Sequence, residues 1–121
     1  MWQSLLVTDS LANVSAWLTV PDAADLLGEP LGRVRRLIEE HTLIGVKRDG
    51  VMMIPADCIQ NGEALPSIRG TIHVLLDSGF TTEGAIEWLY TDEPTLGKTP
   101  MAALLDGQKT QIRRLAQALA L

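Results

Sequence analysis

Three arginines, Arg33, Arg35 and Arg36, stand within four consecutive positions, and Lys47 and Arg48 follow about a dozen residues later. A guanidinium can pair through two hydrogen bonds with a phosphate or with O6 and N7 of guanine, and an α-helix fits the major groove that displays them. Basic side chains at the tip of a hairpin reach backbone phosphate or an adjacent minor groove. These five residues are half of the ten basic residues and fall within positions 33–48, whereas residues 1–32 contain none. The competing reading is a solvated helix face, with Arg33 or Arg36 paired to Glu29, Glu39 or Glu40, beside a hairpin edge kept soluble by its charges.

Other chemistry has little support. Glu39, Glu40 and His41 are consecutive, so they point in three directions around a helix and make a poor acid-base or metal set. Cys58 is the only cysteine, and the two histidines, His41 and His73, are far apart, which leaves no zinc-ligand spacing, no intrachain disulfide and a buried, apolar role for Cys58. No nucleophile and base pair, phosphate loop or cofactor motif stands out. The expectation is a non-enzyme without metal or cofactor.

The elements around the arginines follow from their neighbours. Thr19 can cap a helix whose first turn tolerates Pro21 and favours Asp22, and Val20, Ala23, Ala24 and Leu27 form one apolar stripe before Gly28 stops it. A second helix is expected from Pro30 or Leu31 to Glu40, with Leu31, Val34, Leu37 and Ile38 inward. Arg36 is then nearest the centre of the exposed face and Arg33 nearest the helix start, with Arg35 on a flank. Leu43–Arg48 and Val51–Ile54 flank Asp49-Gly50, a strong signal for a tight hairpin with Lys47 and Arg48 at its tip. The order is helix, turn, arginine-bearing helix and basic wing, the pattern of a winged helix-turn-helix.

On either side the chain reads more simply. Residues 1–17 are expected to be a lead-in that packs on the core, with a short helix suggested by the spacing of Val7, Leu11 and Val14. Asn61–Pro66 is the best linker. Beyond it come a helix with Ile68, Ile72, Leu75 and Leu76 inward, one capped by Thr81 or Thr82, a short one opened by Thr99-Pro100, and a last one with Ile112, Leu115, Ala116 and Leu119 inward. The expected division is therefore residues 1–17, a winged unit at 18–60 and an all-helical packing or dimerisation unit at 66–121. The polar face of the helix after Thr82 is acidic, through Glu83 and Glu87, which suits docking or solvent rather than DNA.

Composition agrees with a mainly α fold. The 121 residues are 46% hydrophobic but only 4% aromatic, so the core must be built from Leu, Val, Ile and Ala, which favours packed helices over a β-sandwich. The formal charge of −5 argues against a histone-like protein that coats DNA, but a reader of DNA needs only a basic patch. With no signal-like start and no apolar run long enough to span a membrane, the expected location is cytoplasmic, and nucleoid-associated when bound to DNA.

Leu18-Thr-Val-Pro-Asp-Ala-Ala-Asp-Leu-Leu-Gly28, Arg33-Val-Arg-Arg-Leu-Ile38 and the basic wing together resemble the excisionase-like and MerR-like winged-helix DNA-binding domains. Their first helix commonly has glutamate where Asp22 stands here. With Asp77-Ser-Gly-Phe80, Glu87-Trp-Leu89 and Gly97-Lys-Thr-Pro-Met-Ala-Ala-Leu104, the likeness extends over nearly the whole chain to short actinobacterial winged-helix DNA-binding proteins with a helical C-terminal domain. The stretch at 97–104 also resembles the segment that closes some Xre-type antitoxins.

The family likeness implies DNA binding, and with the residues read above the expectation is binding of double-stranded DNA, as a regulator of transcription, through Arg33, Arg35, Arg36, Lys47 and Arg48. A single protomer offers a small surface, so a homodimer or a second factor is expected to supply specificity. The likeness further implies regulation by a Ser/Thr protein kinase, for which Thr8 is the candidate acceptor, although no arginine flanks it. The alternative from another class is an adaptor or antitoxin-like partner that docks a protein on its helical C-terminal half.

Overall fold

The computed structural model describes residues 11–119. Thr8 and most of the expected lead-in lie outside them. Leu11 and Val14 do pack into the core, at 2% and 6% exposure, but residues 11–13 form a turn rather than a helix.

The chain then enters a short strand, β1 (Trp17–Thr19), and passes directly into α1 (Val20–Leu27). Thr19 belongs to both: its hydroxyl accepts from the Asp22 N–H while the Asp22 carboxylate accepts from the Thr19 N–H, each at 3.2 Å. This reciprocal cap satisfies two of the donors a helix start leaves open and is worth about 1 kcal/mol. Val20, Ala23 and Ala24 are buried as their spacing predicts. Gly28 ends the helix at φ +68, a left-handed conformation that glycine adopts without a Cβ penalty.

After the turn, α2 spans Leu31–Glu39 and buries Val34 and Leu37, with Ile38 half-buried. Leu31 departs from the expected stripe. It is 44% exposed because it stands in the first turn, between the exposed Pro30 and Gly32.

The hairpin is shorter at its start than expected. Its strands are β2 (Val46–Arg48) and β3 (Val51–Pro55). Leu43 and Ile44 are fully buried core residues ahead of the strand, and the Leu43 N–H is already used by the Leu37 carbonyl at the end of α2. Asp49 and Gly50 both have positive φ (54 and 81), as a tight two-residue hairpin turn requires. The wing is also wider than expected, since β1 pairs with β3 to give an antiparallel sheet of order β1-β3-β2.

A 3-10 turn (Ala56–Cys58) leads to a second small hairpin, β4 (Ile59–Gln60) and β5 (Glu63–Ala64). This replaces the linker expected from Asn61. Asn61 and Gly62 sit at φ 54 and 78, the same turn geometry as the wing, and β5 packs on α1.

Four helices follow: α3 (Ile68–Asp77), α4 (Thr82–Leu89), α5 (Pro100–Leu105) and α6 (Lys109–Ala118). The Thr81 and Thr99 hydroxyls cap α4 and α5 by accepting from Gly84 N–H and Ala102 N–H. α6 packs along α3 and buries Ile112 and Ala116. Leu119, expected inward, is 47% exposed because the helix has ended at Ala118. One continuous core joins both halves, running from Val34 and Ile54 through Cys58 to Ile72, Leu75, Ile86 and Ile112. The fold is thus mainly α, a winged helix-turn-helix followed by a small helical unit.

Candidate nucleic-acid interface

The exposed side of α2 carries all three arginines. Arg33, Arg35 and Arg36 are exposed, and among the described residues none of them forms an ion pair. The predicted alternative, in which Glu29, Glu39 or Glu40 neutralises them, is therefore not the arrangement found. Two neighbouring facts keep the surface open. Pro30 caps α2 without a side-chain hydrogen bond, and Gly32 beside Arg33 has open space where a Cβ would stand.

Sheet register decides where the wing's two basic residues point. Side chains alternate between the faces of a strand, and Lys47 is paired with Met52 while Arg48 is paired with Val51. Lys47 and Met52 therefore face α2, and with Val20, Arg35, Ile38 and Glu39 they line an open cleft of about 340 Å³ between helix and wing. Its floor is apolar and its rim carries Arg35 and Lys47 against Glu39. Gly45 permits this close approach, for a Cβ there would stand 2.8 Å from the Met52 sulfur and 3.2 Å from Ile38 Cγ2.

Arg48 faces the other way. Its guanidinium lies 4.7 Å from the ring centroid of Trp17, on the β1 edge of the same sheet. Such a contact is worth about 0.5–1 kcal/mol at a partly exposed site and fixes the wing's outer face. The structure thus groups Lys47 with the α2 arginines and sets Arg48 apart from them. Sequence reading placed both at the hairpin tip, because it had no sign that β1 would bring a tryptophan within reach.

His41, just past the end of α2, takes a left-handed conformation (φ 62), and its ring meets that of His73 on α3 edge to face, with centroids 5.4 Å apart. Burial, then His73, then Arg69 lower its pKa below the ordinary histidine value. Nothing in the sequence paired two histidines 32 positions apart. Cys58 is fully buried, and burial pushes its thiol up to about 12, with a smaller opposing effect from a hydrogen bond to the Ile44 backbone. Among the described residues, no group of three or more His, Cys, Asp or Glu could hold a metal ion, and no helix is long and apolar enough to cross a membrane.

The comparisons with known proteins agree with this architecture. Residues 6–59 match the family model described as DNA-binding protein Rv2175c, wHTH domain, and residues 65–120 match the Rv2175c C-terminal domain of unknown function. The chain is similar to DNA-binding protein Rv2175c of Mycobacterium tuberculosis (strain ATCC 25618 / H37Rv), at 32% identity over 114 residues that cover 84% of this chain and 78% of the relative. It also superposes on the NMR structure of Rv2175c with a TM-score of 0.80 at 29% identity, covering 88% of this chain and 82% of that one. With both of its parts matched in order along nearly the whole chain, this protein belongs to the Rv2175c family of winged helix-turn-helix proteins.

Proposed function

We propose that the protein binds double-stranded DNA and regulates transcription, with α2 in the major groove and the wing on the flanking backbone. The observation that carries this reading is the exposed, unneutralised arginine face of α2, set across an open cleft from Lys47. The relative named above is called a DNA-binding protein, which supports the same conclusion.

In this reading Arg36 and Arg33 approach base edges, since the first turns and centre of a recognition helix make such contacts. Arg35 and Lys47 bracket the cleft and hold phosphate. Arg48 reaches the backbone from the outer edge of the wing with the N–H edge of a guanidinium whose face is held over Trp17. Residues 18–60 form the reading unit, and residues 66–121 support it and contribute to a dimer. Three phosphate contacts would give a log–log salt slope of about −3 per protomer, and all five basic residues on phosphate a slope of about −4 to −5.

The test is fluorescence anisotropy of labelled duplex DNA, titrated across a salt series with the protein and with an Arg33/Arg35/Arg36→Ala variant whose fold is checked by circular dichroism. Salt-sensitive binding that the variant loses is the expected result. Absence of binding to any duplex at low salt would sink the reading and turn attention to protein docking on the helical half.

A further inference from the structure

We infer that α6 and the adjoining edge of α3 form a second phosphate-binding strip, which extends the DNA footprint from α2 onto the C-terminal half. The inference rests on the DNA reading above and adds to it Arg69, Lys109, Arg113 and Arg114.

The strip is a segregated charge. α6 carries three cations and no carboxylate in a chain whose formal charge is −5. Lys109, Arg113 and Gln117 follow one another at four-residue spacing along one line of the helix, with Arg114 beside them. Together with Thr110 these residues line a shallow open depression of about 220 Å³ that has no acidic group in its wall. Among the described residues none of the four cations is in an ion pair. The nearest acidic residue along the chain, Asp106, is already engaged by Lys98 at 2.6 Å.

A helix left in water gains a few tenths of a kcal/mol from each oppositely charged pair at this spacing and loses as much from each like pair. Lys109 and Arg113 are a like pair. The local charge is therefore costly to the helix alone and is relieved by an external anion.

Position identifies that anion as the same duplex. Arg69, Gly70 and His73 share one face of α3, and His73 touches His41 at the end of α2. Gly70 leaves the place where the Arg113 guanidinium lies, for a Cβ there would collide with it. Arg113 thus crosses α3 beside the histidine contact. On that face of α3 no carboxylate stands between Arg69 and His73, and the acidic side chains at the α2 end of the path are Glu39 and Glu40 beside His41. A long, stiff polyanion laid on α2 would meet the cations of α6.

The test uses the full chain with Arg69, Lys109 and Arg114 each changed to Gln; Arg113 is kept because it packs on Gly70. Affinity and salt slope are measured on duplexes of about 12 and about 30 base pairs, beside the Arg33/Arg35/Arg36→Ala variant, with thermal melting as a check on folding. On the long duplex the new variant should bind several-fold more weakly, with a slope less negative by roughly 2 to 3, while the short duplex changes little. An unchanged slope and length dependence, with binding still lost in the α2 variant, would overturn the strip and leave the reading of α2 intact. Residual binding by the α2 variant that disappears when the strip is also neutralised would support the strip even if α2 reads nothing. Equal binding of poly-glutamate, lost in the same strip variant, would reassign it to an acidic protein and overturn the DNA assignment.

Discussion

The Tyr90 hydroxyl, at the end of α4, donates a 2.7 Å hydrogen bond to Oδ2 of Asp57 in the turn that follows the wing. The two residues are 33 positions apart, and the bond ties the helical half to the base of the β-sheet. The Tyr90 carbonyl accepts from the Asn13 side chain as well, so one residue fixes three segments. Burial, and then the bond to Asp57, raise the phenol's pKa well above the usual tyrosine range, so it stays a donor at any working pH.

Replacing Tyr90 by Phe should therefore cost about 1.5–3 kcal/mol, the range for a hydrogen bond to a charged partner. Chemical denaturation of the single variants, together with a Tyr90→Phe/Asp57→Ala cycle, measures the coupling. A coupling near zero would mean that solvent replaces the bond at no cost. DNA binding by the folded fraction should be little changed, since neither residue lies on the arginine face.

Lys47 and Arg48 are neighbours in sequence and opposites in the sheet, and their variants should separate. Lys47→Ala removes one charge from the cleft rim. It should make the salt slope of DNA binding less negative by about 1 and leave the melting temperature unchanged. Arg48→Ala should lower stability by about 0.5–1 kcal/mol or somewhat more, because it uncovers Trp17. Melting curves and anisotropy on both proteins distinguish them, and identical behaviour would contradict the register argument.

The parts of the fold legible in the sequence were those fixed by local chemistry. Thr19 with Asp22, Gly28, Asp49-Gly50, Thr81 and Thr99 each specify a cap or turn through their own side chains or backbone, and each does so here. Asn61-Gly62 carries the same turn signal, but the strands around it are only two residues each, too short to show an alternating pattern. β1 was missed for a related reason. Three residues running into a helix have no period, and the strand exists because β3 offers an edge to pair with. The arginine face could be read because helical spacing alone puts it outward. The strip on α6 could not, because its significance depends on which helix lies beside it.

Thr71 offers a test of packing in the helical half. It is fully buried in α3, and its hydroxyl has no hydrogen-bond partner among the described residues; Ser67, one turn earlier, has the same defect. A buried hydroxyl without a partner costs about 1–3 kcal/mol relative to water. Thr71→Val keeps the β-branch and removes that cost, so the variant should be more stable by about 1 kcal/mol. Denaturant melts check it, and a loss of stability would show that the hydroxyl is satisfied after all.

Stability should also fall on mild acidification, through His41. Its pKa is held below the ordinary value by burial first, then by His73 and Arg69. Between that lowered value and the unfolded histidine value near 6.5, the unfolded chain binds more protons than the folded one. Stability therefore rises with pH through this window; the contribution is complete above about 6.5 and is lost as pH falls through the folded pKa. His41→Asn removes the titration and keeps a residue that tolerates the left-handed backbone found there. Melting temperature followed from pH 7.5 to 5.5 should drop more in the wild type than in the variant, since carboxylates contribute alike to both. Parallel curves would mean that the proton is taken up elsewhere. A steeper wild-type curve would place an acid-sensitive joint directly behind the helix that carries the arginines.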